Sequence, residues 1–155
     1  MARRLAILGL AIAAALGGCH KNGPPQPTVD RAWVRLPAVP GRPGAAYFTI
    51  HGGSDPARLV AVSSPSVQSV ELHESMKGGT PPGAMGGMME MARIAGVDVP
   101  AGGTLAFAPG GYHAMLFGID PKLTPGGTLK LSFRFAQGQP VTLDAKAVGA
   151  GDPAP

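Results

Sequence analysis

The sequence predicts an all-β domain, an antiparallel β-sandwich of about nine short strands, and three observations carry that prediction. Short runs alternate apolar and polar residues at period two. Glycine- and proline-rich turn signals separate the runs at hairpin spacing. No stretch of ten or more residues beyond the N-terminal leader shows helical amphipathicity. Nine strands in a domain of about 120 residues bury their apolar faces by packing two sheets face to face.

The expected strands, in order, are Asp30 to Leu36, Ala45 to His51, Arg58 to Ser63, Val67 to Glu74, Met88 to Ala95, Thr104 to Ala108, Tyr112 to Ile119, Thr128 to Phe135 and Val141 to Val148. The clearest alternation sets Leu129, Leu131, Phe133 and Phe135 on one face against Lys130, Ser132 and Arg134 on the other. Val141, Leu143, Ala145 and Ala147 repeat it. Pro100-Ala101-Gly102-Gly103, Pro109-Gly110-Gly111 and Pro125-Gly126-Gly127 supply turns, because proline presets φ and glycine accepts the left-handed region.

The chain ends have a different character. Met1-Ala2-Arg3-Arg4 precedes an uncharged apolar run from Leu5 to Leu16, too short for a spanning helix, so residues 1–18 are expected to be a signal peptide. Leu16-Gly17-Gly18-Cys19 resembles a bacterial lipobox, which makes Cys19 the lipidated first residue of the mature chain. Residues 19–29 form a proline-rich linker, 30–148 the domain, and 149–155 a flexible tail. A periplasmic, membrane-anchored lipoprotein is the expected product. His20 in place of aspartate after the cysteine favours the outer membrane over the inner one.

Composition narrows the function. Cys19 is the single cysteine, so the domain has no disulfide, thiolate nucleophile or thiolate metal ligand. Losing Arg3 and Arg4 takes the formal charge from +4 to +2, and no Lys/Arg run is present to bind nucleic acid. The nine carboxylates are scattered, and neither Gly-x-Ser-x-Gly nor His-Glu-x-x-His occurs, so an enzyme is not expected. The expected state is a monomer.

The methionines point to metal. His113 and Met115 stand at i, i+2, which places them on one face of a strand, and thioethers are soft ligands that select Cu(I). Met76, Met85, Met88, Met89 and Met91 follow His73 in a segment too rich in Gly and Pro for a buried helical stripe. His73 shares the non-core face of its strand with Ser69 and Glu71, opposite Val70 and Leu72. Met89 and Met91 repeat the i, i+2 spacing. Glu74 and Glu90 beside these ligands are expected to be solvated, His51 to be a surface histidine flanking a turn, and Trp33 to pack in the core or cover a sheet edge.

The segments Val70-Glu71-Leu72-His73-Glu74, Met89-Glu90-Met91, Val99-Pro100-Ala101-Gly102-Gly103 and Pro109-Gly110-Gly111-Tyr112-His113-Ala114-Met115-Leu116 resemble the periplasmic copper chaperones called PCuAC. The resemblance covers residues 30–148 and includes Ser63-Ser64-Pro65. The family signature is a His, about ten residues, a Met, twenty-one residues, then His-x-Met. Twenty-one residues separate Met91 from His113, but seventeen separate His73 from Met91. An inserted loop from Thr80 to Gly86 absorbs the excess, with Met91 as ligand and Met85 and Met89 as possible substitutes.

The resemblance implies a cupredoxin-like (Ig-like) sandwich that holds Cu(I) through His73, Met91, His113 and Met115. It also implies delivery toward the dinuclear copper centre of a haem-copper (cytochrome c) oxidase, directly or through a thiol-bearing copper chaperone. A copper-sequestering or resistance lipoprotein uses the same site. A metal-free interaction sandwich with methionines as packing is the other alternative, whereas a blue-copper carrier lacks its cysteine.

Overall fold

Leu129, Leu131, Phe133 and Phe135 all turn inward and are buried, as their period-two spacing requires. Around them a computed structural model, which describes residues 26–77 and 89–155, builds ten strands. These are β1 (Thr28–Arg35), β2 (Gly44–His51), β3 (Ala57–Ser63), β4 (Ser69–Lys77), β5 (Met89–Arg93), β6 (Val97–Val99), β7 (Thr104–Phe107), β8 (Tyr112–Phe117), β9 (Thr128–Phe135) and β10 (Val141–Val148). The described residues contain no helix. The expected signal peptide, Cys19, most of the expected linker, Met85 and the expected Thr80 to Gly86 loop lie outside the described residues.

The strands join in one curled sheet of order β5-β4-β8-β7-β2-β1-β10-β9-β3-β6, with β8 also paired to β2. Its inward faces form a single core. Phe48 of β2 stacks on Phe107 of β7 at 4.2 Å and meets the edge of Phe133 of β9 at 4.7 Å. Val34, Ile50, Leu59, Leu72, Leu116 and Leu131 fill the remaining space.

Two findings refine the expected antiparallel nine. Val97–Val99 is a tenth strand, paired with β3 and separated from β5 by Gly96. A Cβ at Gly96 would meet the Leu59 carbonyl oxygen at 2.6 Å, so glycine is required where the chain passes from β5, which ends at Arg93, into β6 beside β3. Three residues between Gly96 and Pro100 are too few to show a period in sequence. Two junctions are also parallel. β1 runs parallel to β10, bringing the ends of the domain side by side. β7 and β8 touch in parallel only at Phe107 and Tyr112, because both run antiparallel to β2, at Phe48–His51 and Gly44–Ala46 respectively. They are one ribbon along β2 interrupted by the Ala108–Gly111 turn, which closes with Gly111 N–H donating to the Ala108 carbonyl at 3.0 Å.

That interruption positions the site. Past the turn, β8 leaves β7's alignment and takes β4 as its second neighbour, from Tyr112 opposite Glu74 to Phe117 opposite Ser69. Ala114 and Leu116 face the core, leaving His113 and Met115 on the outer face.

Candidate metal centre

The β4–β8 register sets His73 directly opposite His113, and the two rings lie 5.7 Å apart between centroids at 32°. Directly opposed side chains on one sheet face stand close enough to share a ligand. Met115, two residues along β8, is opposite Glu71 on β4 and Ala45 on β2. On the other side of β4, Arg93 is opposite His73 and Met91 is opposite Ser75. Strand parity therefore gives His73, His113, Met115 and Met91 a common outer face, although Met91 is one diagonal step from His73.

His113 is the buried polar residue of this face, 6% exposed, whereas Met91 is 58% exposed. Met91, His113 and Met115 line one cleft of about 300 Å³ together with Arg35, Tyr47 and Ala45. Ala45 leaves room beside Met115 that a larger residue would fill. Met89 is opposite Lys77 of β4, two residue pairs beyond Met91. Met85 lies outside the described residues.

Hydrogen bonds fix both imidazoles. His113 Nδ1 lies 3.0 Å from the Gly111 carbonyl, which also accepts the Ser75 N–H at 3.1 Å. A carbonyl only accepts, so Nδ1 carries the proton and Nε2 keeps its lone pair. His73 Nε2 lies 3.1 Å from Glu71 Oε2, and its Nδ1 is buried with no hydrogen-bond partner among the described residues. A buried acceptor without a partner costs roughly 1–3 kcal/mol, which a metal ion at that atom would offset. Among the described residues no three His, Cys, Asp or Glu side chains converge. A hard-ion oxygen cage is therefore not built there, and the side chains on this face offer imidazole nitrogens and thioether sulfurs.

Charged and aromatic neighbours frame the cleft. Arg93 Nη1 reaches Glu71 Oε1 at 3.4 Å. Arg35 donates to the carbonyls of Gly149, Ala150 and Asp152 at 3.2, 3.0 and 2.7 Å, and its guanidinium carbon lies 5.0 Å above the Trp33 ring. Trp33 packs against Tyr47 with ring centroids 4.5 Å apart and planes tilted by 34°, outside the main core cluster. A β-bulge at Arg31, whose φ is 50°, shifts the register so that Asp30 and Trp33 both face outward. Burial raises the Tyr47 phenol above its ordinary value, and the charge of Arg35 partly lowers it. Tyr112 is raised by burial first, then by the Glu74 charge and hydrogen bond.

Sequence reasoning brought His73, His113, Met115 and Met91 to this face but overlooked three of its neighbours. Glu71 was legible as His73's face-mate, yet attention fell on Glu74 and Glu90; Glu74 engages Tyr112. Arg35 and Tyr47 carried no local signal, because the pairing of β1 with β2 and of β2 with β8 brings them in. His51 is bonded to Asp30 at 3.2 Å and Thr104 at 3.4 Å, at the end of β2 away from the β8 pairing.

This curled sheet with paired histidines on its outer face defines a PCuAC-type fold. The copper-bound PCuAC domain from PmoF2 superposes with a TM-score of 0.65 at 22% identity, over 82% of this chain and 96% of that one. The solution structure of CuI-DR1885 from Deinococcus radiodurans gives 0.53 at 27% identity, over 76% of each chain. The chain belongs to the LpqE-like family, described as "Putative lipoprotein LpqE-like", whose model matches residues 28–147. A relative from Leifsonia xyli subsp. xyli, "Putative lipoprotein Lxx21020", is 36% identical over 120 residues, 76% of this chain and 68% of that protein.

Proposed function

We propose that this protein is an extracytoplasmic Cu(I) carrier, tethered through lipidated Cys19, that holds one ion with His73, His113, Met115 and Met91 and passes it to an acceptor protein. One observation carries the reading: two opposed imidazoles, one with an orphaned buried nitrogen, on a face shared with two thioethers. Copper appears in the names of two structural relatives, one copper-bound and one in its CuI form. Two imidazoles and two thioethers suit Cu(I) without the thiolate that would hold it most tightly, so the ion can be handed on.

The burial gradient gives transfer a direction. His113 is inside and held by the Gly111 carbonyl, whereas Met91 is exposed at the rim. An incoming ligand displaces Met91 first, and the histidines release last. The acceptor in this reading is the dinuclear copper centre of a haem-copper oxidase or a thiol-bearing chaperone upstream of it. The role is carriage, with no catalytic step.

Competition with a Cu(I) chelator tests the site, and X-ray absorption at the copper edge counts its neighbours. One ion per chain with nitrogen and sulfur neighbours is expected. Two or more ions, or a shell of oxygen alone, overturns the proposal.

A further inference from the structure

We propose that Glu71 is a positioning residue that makes the two histidines present different ring nitrogens, Nδ1 from His73 and Nε2 from His113. The inference deepens the Cu(I) reading and rests on it for its purpose, but its geometry is that of the chain's own residues. An ionised carboxylate only accepts hydrogen bonds, so the 3.1 Å contact between His73 Nε2 and Glu71 Oε2 puts the ring proton on Nε2. Nδ1 then carries the lone pair, and that is the atom found buried without a partner among the described residues. At His113 the Gly111 carbonyl does the reverse, holding the proton on Nδ1.

Glu71 is itself held. Its other oxygen, Oε1, takes Arg93 Nη1 at 3.4 Å, and Arg93 sits opposite His73 on β5. A relay thus runs from exposed Arg93 through Glu71 to half-buried His73, turning the ring so that one nitrogen faces the carboxylate and the other is left for a ligand. Carboxylates that hold a ligating histidine in this way fix its tautomer and raise its basicity. Glu71 bonds to the His73 ring and stands opposite Met115 on β8, and the effect proposed for it is on the orientation of that ring.

The test uses the ¹⁵N-labelled, metal-free chain in mildly alkaline buffer, where imidazoles are neutral, and reads each tautomer from long-range proton–nitrogen correlations. Expected are the Nε2–H form for His73 and the Nδ1–H form for His113. Glu71→Gln keeps an oxygen acceptor and should preserve the His73 tautomer, with Cu(I) affinity within about threefold. Glu71→Ala should mix the His73 tautomers and weaken Cu(I) about 10–100-fold. Unchanged His51 and His113 signals in that variant report an intact fold.

An Nδ1–H His73 in the parent chain, or a His73 tautomer that ignores Glu71→Ala, overturns the inference. So does a Glu71→Gln variant that keeps the tautomer yet loses as much affinity as Glu71→Ala, because the residue then acts by charge. Failure of the parent chain to take up Cu(I) removes the functional reading, while the tautomers still decide the role of Glu71.

Discussion

His73 of β4 and His113 of β8 are direct cross-strand partners with ring centroids 5.7 Å apart, although thirty-nine residues separate them in the chain. Each is anchored by one nitrogen, so either loss should remove a donor that no neighbour replaces. His113→Ala combined with Met115→Ala should lower Cu(I) affinity at least about 100-fold, roughly 2.7 kcal/mol. Chelator competition measures it, and binding unchanged in the double variant sinks the assignment.

The Met donor from β5 is open to a comparison among its neighbours. Met91 lines the cleft with His113 and Met115, so Met91→Ala should weaken Cu(I) more than Met85→Ala. Met89→Ala should fall between them, since Met89 stands two residue pairs from Met91 along β5. Deleting residues 80–86 should leave affinity within about tenfold, roughly 1.4 kcal/mol. If Met85→Ala proves the most damaging change, the inserted segment carries the metal.

Much of this site was legible because strand parity is a local rule. The i, i+2 spacing of His113 and Met115, and the placement of His73 opposite Leu72's core face, needed only the period of a strand. Thr128–Phe135 and Val141–Val148 were readable to the residue for the same reason. Relationships between strands were not. The parallel β1–β10 junction, the shared β2 edge of β7 and β8, and Arg35's arrival at the cleft depend on pairings across the whole chain. Val97–Val99 escaped notice because three residues bounded by Gly96 and Pro100 show no period.

Tethering should depend on Cys19. Cys19→Ser should abolish fatty-acid labelling and yield unprocessed or soluble protein, because the lipid attaches to the thiol. Metabolic labelling with a radioactive fatty acid checks it. A variant that is still cleaved and labelled removes the lipobox reading.

Phe48 joins both sides of the core through Phe107 and Phe133. It is 2% exposed, so Phe48→Ala leaves a cavity that flanking strands cannot close. The expected loss is about 3–5 kcal/mol in denaturant unfolding. Met115→Ala, on the outer face, should leave the midpoint far closer to that of the parent chain. Equal losses would mean that the outer face contributes to the core.

Alkaline stability should report the two tyrosines, which are all the chain has. Burial is the leading cause that raises both phenols above their ordinary value of 10.0; Arg35 partly counters it at Tyr47, and Glu74 adds to it at Tyr112. Both groups therefore hold their protons in the folded chain at a pH where the unfolded chain has begun to release them. The unfolded state binds fewer protons in that interval, so stability is unaffected by these groups below about pH 10 and falls as pH rises from there through the folded values. Tyr47→Phe should make the fall shallower, and Tyr47→Phe with Tyr112→Phe shallower still. Denaturant unfolding across the alkaline range, alongside tyrosinate absorbance, measures both slopes. A double variant with the parent's slope would show that neither phenol is raised by the fold.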